Sequence, residues 1–324
     1  MPCRREVPLA LLLAAFLGAC GRTAAPAPHP AAGHQATPSP RLVTGFALQQ
    51  AATLPVPAEG LAAAAQGGKV YLFGGLGPEG SLAAIYRLQD GRITPAGQLP
   101  LPIHDLAAAP LPGGAILIAG GGEVRSFDRL YLYKGGQLHP LGALPTPRSD
   151  LAAAPCGGDV YLVGGYTGQS FLASILRIDP QGRVAAAGKL PLGLRYAGAA
   201  ALGGRVYIFG GFALSGYQSA IYRFTPGQGV TRAGALPVAV RAPLVAAGSD
   251  GILVAGGESG PGEDQNGVYW YSESGGLLRI GALPAPLALG AASYLGQGRF
   301  ALIGGEDGTR LSQRVYLLTL RHGR

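Results

Sequence analysis

The chain has 324 residues, of which 48% are hydrophobic and only 13% charged, with 55 Gly and 27 Pro. That is ample material for a core and too little charge for a solvated coil, which excludes a disordered chain; the Gly and Pro recur with a period, which excludes a low-complexity one. The formal net charge of +8 is carried by scattered Lys and Arg with no basic run, which argues against a nucleic-acid partner.

At the N-terminus, Arg4 and Arg5 precede an apolar run from Val7 to Ala19. The run is too short to span a hydrocarbon core of about 30 Å but has the length of a signal-peptide core. It ends in Leu17-Gly18-Ala19-Cys20, which resembles the lipobox of bacterial lipoproteins. The resemblance implies that residues 1–19 are a signal peptide removed before Cys20 and that Cys20 is lipidated. The protein would then be an exported lipoprotein of the bacterial cell envelope, on the periplasmic side or the cell surface, with the membrane as a partner through the Cys20 anchor. Two acyl chains hold a protein at a bilayer stably. Ordinary cleavage after Ala19, releasing a soluble protein, is the alternative. Residues 20–41 are rich in Ala and Pro without an aromatic side chain and read as an extended tether. Beyond it Cys156 is the one remaining thiol, so residues 42–324 contain no disulfide pair, and its apolar surroundings make it a core residue.

From residue 42 a repeat governs the sequence. A Gly pair closes a short apolar run at Gly74-Gly75, Gly120-Gly121, Gly164-Gly165, Gly210-Gly211, Gly256-Gly257 and Gly304-Gly305, at spacings of 46, 44, 46, 46 and 48. A Leu-Pro pair marks a second phase at Leu54, Leu99, Leu144, Leu190, Leu236 and Leu283. Each unit holds four short segments. The first is built of small residues, as in Leu61 to Ala65, and suits the crowded axis of a radial array. The second, as in Val70-Tyr71-Leu72-Phe73, is too short for a helix and reads as a strand buried on both faces. The third alternates aromatics, as in Val268-Tyr269-Trp270-Tyr271, and a turn leads to a fourth that ends near Leu-Pro. Four strands in about 46 residues make one propeller blade. The sixth unit stops after its third strand, and residues 42–50 form a lone strand before the first Leu-Pro. The fold expected is therefore all-β: a six-bladed β-propeller over residues 42–324 with four antiparallel strands per blade, whose N-terminal strand completes the last blade. With no long sheet edge left open, a monomer is expected.

The succession of Leu-Pro, Arg, small residues, Val-Tyr-Leu-Val-Gly-Gly and an aromatic third strand resembles the Kelch motif over nearly all of residues 42–324. Kelch units usually carry Trp in the fourth strand, whereas Trp270, the single Trp here, lies in a third strand. Bacterial secreted Kelch proteins are the nearest group.

Antiparallel order places the loops after Leu-Pro and after Gly-Gly on one face, around the mouth of the central channel, where function is expected. Counting back 15 or 16 residues from each Gly pair gives Glu59, His104, Arg148, Arg195, Arg241 and an apolar position near Ala288. The Kelch resemblance implies that arginines in this slot contact acidic ligands; tying loop carbonyls or Asp105 and Asp150 together is the structural alternative. The residue after each Gly pair is Leu76, Gly122, Tyr166, Phe212, Glu258 or Glu306. With Tyr196 and Tyr217, these make an aromatic-walled, acid-rimmed mouth suited to a sugar or sugar acid. Glu263, Asp264 and Asn266 match no cation-binding spacing, and neither a metal nor a cofactor is expected.

No nucleophile–base pair is evident, so a non-catalytic envelope binding or interaction module, with a small anionic, carbohydrate or protein ligand, is favoured over an enzyme. The alternative comes from the resemblance to periplasmic Kelch proteins that include the sialic-acid mutarotases. It implies a sugar-acid mutarotase or epimerase with acid–base groups among Glu258, Glu306, Asp105 and Asp150 and with Arg148, Arg195 or Arg241 on the carboxylate. A copper radical oxidase of the galactose-oxidase type needs two His at the site, and of His104, His139 and His322 only His104 falls on the mouth face.

Overall fold

The computed structural model describes residues 42–323. The expected signal peptide, Cys20 and the tether up to residue 41 lie outside them. The described residues form six four-stranded antiparallel sheets and no helix. Blade 1 runs outward through Ala62–Gln66, Lys69–Phe73, Ala84–Gln89 and Arg92–Gln98. Blades 2 to 5 repeat the order from inner strands His104–Leu111, Ala152–Cys156, Gly198–Leu202 and Leu244–Ala247. Blade 6 takes Ala291–Gly296, Arg299–Ile303 and Arg314–His322 from the C-terminal end, and its outermost strand is Val43–Thr53. That strand pairs antiparallel from Val43 with His322 to Thr53 with Arg314, so the first and last described strands fasten the ring as expected.

The core is divided among the blade interfaces. Six clusters of buried apolar residues each join two neighbouring sheets: Phe73 and Ile85 of blade 1 meet Ile116 and Tyr133 of blade 2, and Ala301, Ile303 and Val315 of blade 6 meet Val70 and Leu72 of blade 1. The second strands are buried because both their faces lie in such interfaces. Third-strand aromatics project into the neighbouring sheet: Tyr133 packs on Tyr71 and Phe73 with ring centroids 5.1 and 5.5 Å away, and Tyr271 repeats this on Tyr207 and Phe209 at 5.0 and 5.6 Å. Such tilted and edge-on contacts suit the ring quadrupole. Trp270 fills the space over Gly251, where a Cβ would lie 2.4 Å from the indole, and meets Phe300 edge-on at 6.0 Å.

Two concentric rings of backbone hydrogen bonds tie the blades together. In the outer one, the second Gly of each pair donates to the next blade: Gly75 to Ile103, Gly121 to Arg148, Gly165 to Leu194, Gly211 to Val240, Gly257 to Leu287 and Gly305 to Ala58, at 2.8–3.0 Å. The first Gly must lack a side chain for this approach. At Gly256, with φ +64°, a Cβ would sit 1.9 Å from the Leu287 carbonyl oxygen. In the inner ring, Asp105 N–H donates to Gly60, Asp150 to Asp105, Tyr196 to Asp150, Ala242 to Tyr196, Leu289 to Ala242 and Gly60 to Leu289, at 2.6–3.3 Å. All six residues have φ between +49° and +57°, the left-handed region. Asp is among the non-Gly residues that enter this region most easily, whereas for bulkier residues such as Leu289 it is strained and holds only because the closed ring over-determines it.

Candidate functional site

The inner ring is the floor of the channel mouth, and a cavity of about 110 Å³ lies over it, lined by Gly60, Asp105, Asp150, Tyr196, Ala242 and Leu289. Beneath, the channel is walled by small inner-strand residues such as Ala63, Ala108, Ala153 and Ala199, with a volume of about 270 Å³. The apolar axis is thus capped by a polar plate. Tyr196 crosses it: its hydroxyl donates to Asp105 Oδ2, two blades away, at 3.1 Å.

One residue before each left-handed residue stands the slot that faces the mouth. Its members are Glu59, His104, Ser149, Arg195, Arg241 and Ala288, each bridged within its blade to Leu76, Gly122, Tyr166, Phe212, Glu258 and Glu306 respectively. The two patterns read from the sequence therefore meet in one layer. Arg148 is the correction: it lies one residue earlier, where the other blades hold Ala58, Ile103, Leu194, Val240 and Leu287, all buried. Arg148 is 2% exposed and donates to the Gly164 carbonyl at 3.1 Å and Ser174 Oγ at 3.2 Å, and burial without a carboxylate pushes its guanidinium down to about 10. It ties its own blade together and does not reach the mouth; Ser149 takes its place.

Arg195 and Arg241 do reach the mouth, already partnered. Arg195 Nη2 lies 2.6 Å from Asp150 Oδ2 and donates to the Tyr196 hydroxyl at 3.1 Å. Its guanidinium stacks over Tyr166 at 4.5 Å and Tyr196 at 4.6 Å, with Phe171 at 5.8 Å. Arg241 donates through Nε to Glu258 Oε2, and the Tyr217 hydroxyl donates to Glu258 Oε1 at 3.1 Å. His104 sits at the edge, its Nδ1 2.9 Å from Ser81 Oγ, and burial holds it below the ordinary imidazole value. Tyr166, Phe171, Phe212 and Tyr217 form a continuous aromatic wall across blades 3 and 4, with successive centroids at 5.4, 6.1 and 5.1 Å. Phe171 was not picked out from the sequence because it lies inside a loop, out of phase with either repeat marker.

Carboxyl groups gather at this mouth, among them Glu59, Asp105, Asp150, Glu258, Asp264 and Glu306. Burial, then the Asp150 carboxylate, lifts Asp105 well above the usual carboxyl range. Burial, then Glu306, pushes Glu59 up to about 7, and the two carboxyls share a hydrogen bond across the blade 6–blade 1 junction. That contact follows from the outer ring, since Gly305 N–H donates to Ala58 next to Glu59. Burial, then Glu306 and Glu258, raises Asp264 to about 7. Glu258, Asp264 and Glu306 bring carboxylate oxygens within 4.8 Å of one another. Because Glu258 already accepts from both Arg241 and Tyr217, the trio does not offer three open ligands. Burial and neighbouring carboxyls thus hold Glu59, Asp105 and Asp264 above the ordinary carboxyl range, and the mouth offers hydrogen-bond acceptors beside groups able to exchange a proton.

Residues 147–183, which run from the residue before Arg148 through the first three strands of the third blade and the turn after them, match the model of the Kelch motif. No curated protein matches the sequence at a significant level. Among solved structures, that of YjhT aligns with a TM-score of 0.70 at 18% identity, covering 83% of this chain and 99% of the other. At that identity the likeness shows the fold. Motif and architecture together make the chain an all-β, six-bladed propeller carrying a Kelch motif, a scaffold that suggests a binding or interaction module.

Proposed function

We propose that the protein is an envelope-anchored binding module, held through Cys20, whose channel mouth receives a carbohydrate. The observation that carries this reading is the imbalance at the mouth. Glu59, Asp105, Asp150, Glu258, Asp264 and Glu306 gather around Arg195 and Arg241, and both of these arginines are already engaged, Arg195 with Asp150 and Arg241 with Glu258. A carboxylate or phosphate ligand would have to displace a carboxylate already in place. Sugar hydroxyls donate to carboxyl oxygens and accept from guanidinium, and their ring faces pack on aromatics such as Phe212 and Tyr217. The cavity of about 110 Å³ is well below the roughly 300–1,000 Å³ of sites that engulf a ligand, so a sugar lies across the mouth with one substituent inserted. A glycan and sugar-acid binding screen tests this, repeated with Arg195→Ala and Phe212→Ala. Binding that both variants lose supports the site, and binding that survives both places the ligand elsewhere.

One observation favours the second reading, sugar-acid mutarotation or epimerisation. Glu59, with a carboxyl near 7, sits hydrogen-bonded to Glu306, so one partner can give a proton while the other takes one. Opening and closing a sugar ring needs that pair of roles. Following anomer ratios by NMR decides it: relaxation no faster than in buffer ends this reading.

A further inference from the structure

We infer that the half of the lower face formed by blades 6, 1 and 2 is a docking surface for anionic lipid headgroups. In each blade the turns between first and second strands, and between third and fourth, lie opposite the mouth. On blades 6, 1 and 2 these turns and strand ends carry Lys69, Arg92, Lys134, Arg299 and Arg321, all exposed except the half-buried Lys69. None of the five enters an ion pair among the described residues, and Asp90 is the one acid described beside them.

The same turns on blades 3, 4 and 5 differ. Their cations are neutralised in the pairs Arg177–Asp159, Arg183–Asp179 and Arg205–Glu273, and Asp250 adds a negative charge. The positive charge of the lower face is therefore confined to one half, on the side opposite the acidic mouth.

The first described residues lie at the boundary of this half with blade 5. Val43 pairs with His322 at the lower end of blade 6, and Leu42 before it, 68% exposed, borders the blade 5 turns that carry Asp250 and Glu273. Cations spread over three blades suit a planar array of anionic headgroups. The surface argument rests on these cations and stands without the proposed anchor at Cys20 and without any ligand at the mouth.

The ring closes within residues 42–323, so the chain starting at Leu42 is the material to test. Co-sedimentation uses phosphatidylcholine vesicles with and without phosphatidylglycerol, at low and high salt. Binding is expected only with phosphatidylglycerol, is lost at high salt, and weakens at least about tenfold in Arg92→Glu/Lys134→Glu/Arg321→Glu. The outer-strand control Arg232→Glu/Arg279→Glu keeps it. Should the triple charge reversal unfold the ring, Arg92→Gln/Lys134→Gln tests the same patch with a smaller but measurable loss. Equal binding to neutral vesicles, undiminished binding by the patch variants, or retention on an anionic polysaccharide without vesicle binding overturns the proposal.

Discussion

Replacing Glu59 by Gln removes one ionisable carboxyl from the mouth while keeping its shape, and the effect on stability should depend on pH in a direction its surroundings fix. Burial and Glu306 raise the Glu59 carboxyl from 4.5 to about 7. A group raised on folding binds protons more tightly in the folded state. Its contribution to stability is complete below the unfolded value of 4.5 and is lost as pH climbs through about 7. At about 1.36 kcal/mol per pH unit the full effect is about 3.4 kcal/mol, and solvent screening of this partly exposed side chain reduces it to about 1–2 kcal/mol. Gln carries no such dependence. At about pH 5 the variant should match the wild type within about 0.5 kcal/mol, and at about pH 8 it should be the more stable by about 1–2 kcal/mol. Urea unfolding followed through Trp270, the single and buried Trp, measures both. A variant that is destabilised at both pH values, or that gains nothing on going to the higher one, refutes the paired-carboxyl reasoning.

Arg148→Leu places an apolar side chain where five other blades have one, so it should change stability by no more than about 1–2 kcal/mol in either direction and leave binding at the mouth intact; loss of binding would return Arg148 to the site. Gly256→Ala, whose Cβ would lie 1.9 Å from a carbonyl oxygen, should cost more than about 3 kcal/mol in urea unfolding, whereas Gly216→Ala, with open space around it, should cost about 1–2 kcal/mol from backbone strain alone. Tyr207→Phe removes the 2.6 Å hydrogen bond to Glu273 and should lower stability by about 0.5–1.5 kcal/mol, read by the same unfolding assay.

The architecture was legible because each blade repeats two physical demands. A Gly pair is needed where a Cβ would strike the next blade's carbonyl, and small residues are needed at the axis. The missing fourth strand of the last unit gave away the closure. The slot is read one residue off in the third blade because it lies 15 residues before the Gly pair in blades 1, 3, 4 and 5 but 16 before it in blades 2 and 6, so counting back admits both Arg148 and Ser149. Aligning Asp105-Leu106 with Asp150-Leu151 would have put Ser149 opposite His104, since both Asp residues take the same left-handed conformation. The pairing of Glu59 with Glu306 was out of reach of any local pattern. These residues stand at opposite ends of the chain and meet only because the ring closes.

The account rests on that closure, and the amides of Gly60, Asp105, Asp150, Tyr196, Ala242 and Leu289, which form the inner ring, report on it directly through hydrogen exchange. Closure predicts that all six exchange slowly as one cooperative unit, and that removing residues 42–53 makes them fast together. Rapid exchange at Gly60 in the intact chain, whose amide donates to the Leu289 carbonyl across that junction, with the other five still protected, would show a ring open between blades 6 and 1 and would contradict it.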